Sequence, residues 1–179
     1  MRRNRQVSIG GKLTLLVPAF SLAEPHQAIA GKAKARARLG EDLRRHLDEL
    51  GRSKPHREIP ATFDALAGVL VASAQFEREG VRRAVSTMLQ AAEIIPLDAQ
   101  ILGAAAVIDV EYGLSGQDSI VLASVLSHLE RTVPPESCFL NRNTRDFDDP
   151  DVRDRLEGLG CKFFAKFAAA LAYISSRVK

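Results

Sequence analysis

The chain has only two cysteines, Cys138 and Cys161, each among apolar neighbours and neither in a CxxC or Cys/His spacing. That scarcity excludes a structural zinc site and points to a reducing cytoplasm, where thiols stay free. No apolar run approaches the roughly 18 residues that a membrane span needs, and no signal-peptide pattern opens the chain. No membrane partner is therefore expected. GxGxxG, a Walker loop, GxSxG and HExxH are all missing as well. The four histidines, His26, His46, His56 and His128, are scattered. Nucleotide cradles, zinc proteases and Ser/His or Cys/His nucleophiles drop out together.

What is present is an ordinary globular composition, 179 residues with 46% hydrophobic and 26% charged. That length suits one domain with a conventional core. The net charge of +3 conceals an asymmetry. Residues 1–57 carry 13 Lys and Arg against 5 Asp and Glu, and the remainder carries 12 against 17. A basic half beside an acidic half reads either as an electrostatic layout or as charged surface helices.

Short β-rich runs alternate with helical patterns. "KLTLLV", "EIIPL", "SCFLN" and "CKFF" read as strands. A long Ala-, Lys- and Arg-rich helix is expected over residues 21–50, ended by Gly51 and Pro55. "IPATFDALAGVLVASAQF" and "EGVRRAVSTMLQAAE" read as two helices broken near Gly80. An Ala-rich helix follows over residues 98–112, then an amphipathic one on "DSIVLASVLSHLE". Asp149-Pro150 reads as an N-cap and first-turn proline of a helix ending near Gly158, and the last helix lies in "AKFAAALAYISSRV". The alternation predicts a single α/β domain, three layers α/β/α around a parallel sheet. Residues 52–93 form a less typical helical insertion.

Ligands of open parallel sheets bind beyond the carboxyl ends of the strands. Glu24 follows the first strand and Asn141, Asn143 and Asp146 follow "SCFL", while Asp118 opens a helix that could face the same edge. Such a carboxylate cluster is costly without a cation, since two charges 4 Å apart repel by ~4 kcal/mol at an effective dielectric near 20. Oxygen ligands suit Mg²⁺ or Mn²⁺. Each residue also has a purely structural reading. Glu24 fits the first turn of a helix, Ser115 and Asp118 have capping-box spacing, and Asp148 and Asp149 suit the cap of the next helix.

In combination, "LLVPAFSLAE", "AEIIPLDAQILGAAAVIDVEYGLSGQDSIVLASVLSHL", "CFLNRNTRDF" and "GLGCKFFAKFAAALAYI" resemble the PIN domain, the nuclease fold of VapC-type toxins and many standalone ribonucleases. The resemblance maps the family's acids onto Glu24, Asp118 and Asp146 as metal-binding and catalytic residues, with Asn141 and Asn143 as supporting polar groups. Asn141 stands where the family usually has Thr or Ser. A PIN domain opens with a central apolar strand ending in Asp, and no Asp or Glu precedes Glu24 here. The expectation is an N-terminally truncated chain lacking that strand and ligand, or else a degenerate fold that has dispensed with both.

The resemblance implies a Mg²⁺- or Mn²⁺-dependent endoribonuclease hydrolysing RNA phosphodiesters. Lys32, Lys34, Arg36 and Arg38 are candidate contacts to the RNA backbone, where binding is salt-sensitive. Rival readings are a PIN-fold module that binds RNA or a protein without cleavage, and a toxin masked by an antitoxin. A homodimer is what the resemblance implies about assembly.

Overall fold

The computed structural model describes residues 13–52 and 59–178. Among them, in chain order, are β1 (Leu16–Pro18), α1 (Ala19–Leu50), α2 (Ile59–Ala91), β2 (Glu93–Ile95), α3 (Ala99–Tyr112), α4 (Gly116–Thr132), β3 (Ser137–Leu140), α5 (Thr144–Phe147), α6 (Pro150–Glu157), β4 (Cys161–Phe164) and α7 (Phe167–Arg177). The alternation of elements follows the sequence expectation closely, but the three-layer α/β/α architecture does not. β1 pairs in parallel with β2, Val17 opposite Ile94, and β3 pairs in parallel with β4, Phe139 opposite Phe163. These are two separate two-stranded sheets in a mostly helical chain, which overturns the single parallel sheet with helices on both faces. The physical reason is strand length. Runs of three or four residues offer few ladder amides, while α1 and α2 are 32 and 33 residues long. The reading of residues 1–12, including the expected missing first strand, lies outside the described residues.

The chain divides into two compact units, Leu22–Met88 and a second built from Met1–Ser21 with Leu89–Lys179. In the second unit α4 is the central helix. Val121, Leu122, Ala123, Leu126 and Leu129 are buried on it, and α3 contributes Ile101, Ala105 and Ile108 at helical spacing. The two buried hydroxyls on α4 are satisfied within the helix. Ser119 Oγ donates to the Ser115 carbonyl at 3.0 Å and Ser124 Oγ to Ile120 at 2.7 Å. Around α4 lie Ile95, Phe139, Phe147, Val152, Leu156 and Cys161. Burying each large side chain contributes about 1.5–3 kcal/mol.

Local sequence explains most helix ends. The Asp98 side chain accepts from the Ile101 amide at 2.9 Å, and Gly113 closes α3 with φ of 63°. Asp149 caps α6 as expected, accepting from the Asp151 amide at 2.9 Å with Pro150 in the first turn. Arg153 pairs with Asp148 and sits 5.5 Å from the Phe163 ring centre, fastening α6 to β4. α7 is held by Glu136, which accepts from Tyr173 Oη at 2.6 Å and from Arg177 Nε at 3.0 Å.

In the unit Leu22–Met88, α1 and α2 form a helical hairpin. Pro55 lies outside the described residues, but Gly51 does end α1, its amide bonding the Leu47 carbonyl at 2.8 Å. α2 runs unbroken through Gly80, correcting the expectation of two helices. An interior glycine costs about 1 kcal/mol relative to alanine, too little to stop a helix with good formers on both sides. Arg36 ties the two helices together. Its guanidinium donates to Glu77 Oε1 at 2.8 Å, to Glu77 Oε2 at 3.1 Å and to Ser73 Oγ at 3.2 Å. Arg36 lies 14 residues before the end of α1 and Glu77 18 after the start of α2, so the short connection makes the helices antiparallel. Among the described residues no helix is long and apolar enough to cross a membrane.

Candidate acidic site

The loop after β3 explains how three polar residues meet. Asn141 leaves the strand with its amide still bonded to the Phe164 carbonyl at 3.1 Å. Its side-chain Oδ1 then accepts from the Asn143 amide at 2.9 Å, a two-residue turn of the kind asparagine favours. The chain at once enters α5, a single turn that the sequence reading did not foresee. Phe147 anchors this turn. It is fully buried and meets Phe139 edge to face, ring centres 5.2 Å apart. With Phe147 fixed in the core, its neighbour Asp146 is held at the loop's surface, half-buried.

Asn143 bridges the two acids. Its Nδ2 donates to Asp146 Oδ2 at 2.5 Å and to Asp118 Oδ2 at 3.2 Å. The two carboxylate oxygens therefore lie within 5.7 Å of each other, the sum of those distances. Asp118 stands in the first turn of α4, where the helix dipole favours negative charge. The N-cap residue Ser115 supports it twice, accepting from the Asp118 amide at 3.3 Å and donating its Oγ hydrogen to Asp118 Oδ2 at 2.7 Å. The capping-box spacing read from the sequence is thus a real cap. The same geometry turns the carboxylate toward Asn143.

Of the sequence-predicted residues, Asp118, Asn143 and Asp146 are brought together, and Asn141 shapes the turn beneath them. Glu24 is an exposed residue of α1 in the unit Leu22–Met88. Lys32, Lys34 and Arg38 are exposed on the same helix, whereas the Arg36 guanidinium is engaged by Glu77 and Ser73. Arg142 and Arg145, unremarked in the sequence reading, stand exposed on either side of Asn143. The signal that could have found them is plain, since both lie inside the "NRNTRDF" segment.

What the set can hold follows from its donors. Among the described residues no three His, Cys, Asp or Glu form a cluster that could bind a metal. Two carboxylates on one edge nevertheless fit Mg²⁺, which keeps several waters and is commonly held by one or two carboxylates plus substrate phosphate. Thiol chemistry is disfavoured, because burial pushes both the Cys138 and Cys161 thiols up and keeps them protonated. Two grooves exist elsewhere. One of about 430 Å³ runs along the α1/α2 hairpin, and one of about 560 Å³ lies between α3 and α4. Neither is lined by Asp118, Asn143 or Asp146. No known family, curated protein or solved structure matches the chain.

Proposed function

We propose that the chain is a Mg²⁺- or Mn²⁺-dependent ribonuclease that hydrolyses RNA phosphodiesters, the activity that its resemblance to PIN nucleases implies. The observation supporting this reading is the convergence of Asp118 and Asp146, from elements distant in sequence, on the single amide of Asn143. Asp118 and Asp146 are the residues that would hold the cation. The chemistry that a divalent ion would supply there is activation of water and neutralisation of phosphate charge. Asn143 keeps both carboxylates aimed at one point, and Ser115 fixes the rotamer of Asp118. Arg142 and Arg145 offer two exposed cations for the RNA backbone, a sequence-independent contact. The Arg36 guanidinium is already bidentate to Glu77 and is not offered to RNA.

The test is cleavage of a mixed RNA substrate with Mn²⁺, Mg²⁺ or chelator, by the parent chain and by Asp118→Asn and Asp146→Asn. Metal-dependent cleavage lost in both variants, with helicity retained, is the expected result. Cleavage indifferent to chelator or to Asp118→Asn would overturn the proposal. RNA binding without cleavage under any of these conditions would replace it with the rival reading, a binding module.

A further inference from the structure

The groove along the α1/α2 hairpin has a small, apolar floor. Ala33, Ala37 and Gly40 of α1 face Leu70 and Ala74 of α2 across it. On each helix these residues recur three or four apart, so each set forms one stripe. A Cβ at Gly40 would meet nothing within 4 Å, which leaves the floor open at that point.

Charge is placed unevenly along the groove. The Arg36 contacts to Ser73 and Glu77 fix the level of one antiparallel helix against the other. Counted from that link, Arg78 stands level with Ala33 at one end, while Glu41 and Arg44 line the other end. The Arg36 guanidinium is taken up by Glu77, and Glu41 and Arg44 bring opposite charges to their end. The Arg78 guanidinium is exposed and joins no ion pair or side-chain hydrogen bond among the described residues. The groove is thus an apolar trough with one uncompensated cation at one end.

We infer that this groove binds a free long-chain carboxylate of about twelve carbons, its carboxylate on Arg78 and its tail running past Ala74, Ala37 and Gly40. Length and volume agree on the size. From Ala33 to Arg44 the lining spans about 16 Å at 1.5 Å per residue. Bonds of about 1.5 Å advance a straight carbon chain by about 1.25 Å each, so about 12 or 13 carbons fill that span. The volume is about 430 Å³. At about 30 Å³ per methylene, close to the share of a water in the liquid, it holds about 14 non-hydrogen atoms, the number in dodecanoate. A third α-helix is about 10–12 Å across and over the same span occupies more than about 1,200 Å³, so it would rest on the rim. The apolar tail supplies affinity, and the single cation selects an anionic head and its orientation. This site shares no residue with the acidic one, so its ligand binds whether or not the chain cleaves RNA.

The experiment is calorimetric titration of the full chain with dodecanoate below its micelle-forming concentration, with dodecylammonium and phosphatidylglycerol vesicles alongside. Dodecanoate should bind with a Kd on the order of 10 μM for a ligand of this size, and dodecylammonium at least about tenfold more weakly. Gly40→Leu and Ala74→Leu each put a good helix former into the trough, so each should weaken dodecanoate at least about tenfold with circular dichroism unchanged. Arg78→Gln should weaken it by about a few-fold and remove most of its advantage over dodecylammonium. No binding of dodecanoate, equal binding of the ammonium, or binding indifferent to both leucine variants overturns the proposal. Vesicles that bind while monomeric dodecanoate does not overturn it as well and make the face a membrane contact.

Discussion

Asn143→Asp is the most informative single change at the acidic site. It replaces an amide that donates to Asp118 at 3.2 Å and to Asp146 at 2.5 Å with a third carboxylate at the same point. Two unit charges about 3 Å apart repel by about 1.4 kcal/mol in water and about 5 kcal/mol at an effective dielectric of 20. The three residues are half-buried, and their side chains can rotate apart. The lower part of that range applies, about 1.5 kcal/mol for each of two pairs, or about 3 kcal/mol in all. For a chain of this size that is a fall of about 6–12 °C in melting temperature. Thermal unfolding by circular dichroism at pH 7, low ionic strength and with chelator reads it directly. Asn143→Ala is the control, losing the donors without adding charge and costing about 1–2 kcal/mol. Adding Mn²⁺ should raise the melting temperature of Asn143→Asp well above its value in chelator, because three carboxylates then surround a cation. If Asn143→Asp in chelator were no less stable than Asn143→Ala, the two acids would not converge on this side chain. A loss that Mn²⁺ leaves untouched would keep the convergence and remove the cation.

Three further predictions rest on single residues. Phe147→Ala should destabilise by about 3–5 kcal/mol in urea unfolding, since a fully buried ring leaves a cavity beside Phe139; a loss under about 1.5 kcal/mol would show that the core collapses to fill the space. Gly80→Ala should stabilise by about 0.5–1 kcal/mol, because Gly80 sits inside a continuous helix and an added methyl would meet nothing within 4 Å; unchanged or lower stability would mean that α2 is not continuous there. The Arg36 hydrogen bond and then its charge hold the Glu77 carboxyl below its ordinary value. A depressed carboxyl contributes stability above its unfolded value, lost as pH falls through the folded one. The parent should therefore lose more stability than Glu77→Gln as pH drops below about 4.5, and parallel pH profiles would rule the pair out.

Local signals in the sequence were read well, and pairings across the chain were not. Asp149-Pro150 capped the helix it was expected to cap, and Ser115 with Asp118 formed the cap their spacing implied, because both depend on neighbours within four residues. β2, β3 and β4 lie within the runs that predict them, whereas β1 keeps only Leu16 and Val17 of "KLTLLV" and includes Pro18, expected to stop it. Their grouping into two pairs is decided by long-range contacts that no run of three or four residues encodes, and so the layered sheet was wrong. Gly80 carries a local signal for a break, since glycine punctuates helices, but a 33-residue helix absorbs one such cost. α5 is one turn whose cap makes no side-chain bond, so no local capping signal marks it in the sequence. At the acidic site the polar loop and the helix start were legible separately. That Asn143 joins them was not, since the bond to Asp118 crosses 25 residues. Arg36 illustrates the converse, its charge legible as an RNA contact and its partner 41 residues away hidden.

The burial of Phe147 has a consequence for how often the acidic turn is found open. The ring adjoins Asp146 in sequence, so swinging that turn outward means drawing a phenyl group from the core into water. At about 2–3 kcal/mol for such a side chain, the open form is populated about one part in 30 to one in 150. The amides of Phe147 and Asp148, bonded to the Asn143 and Thr144 carbonyls at 3.2 Å each, are the clocks for that motion. Their hydrogen exchange should be slowed by a similar factor relative to a free loop, so an arriving ligand would meet carboxylates already assembled.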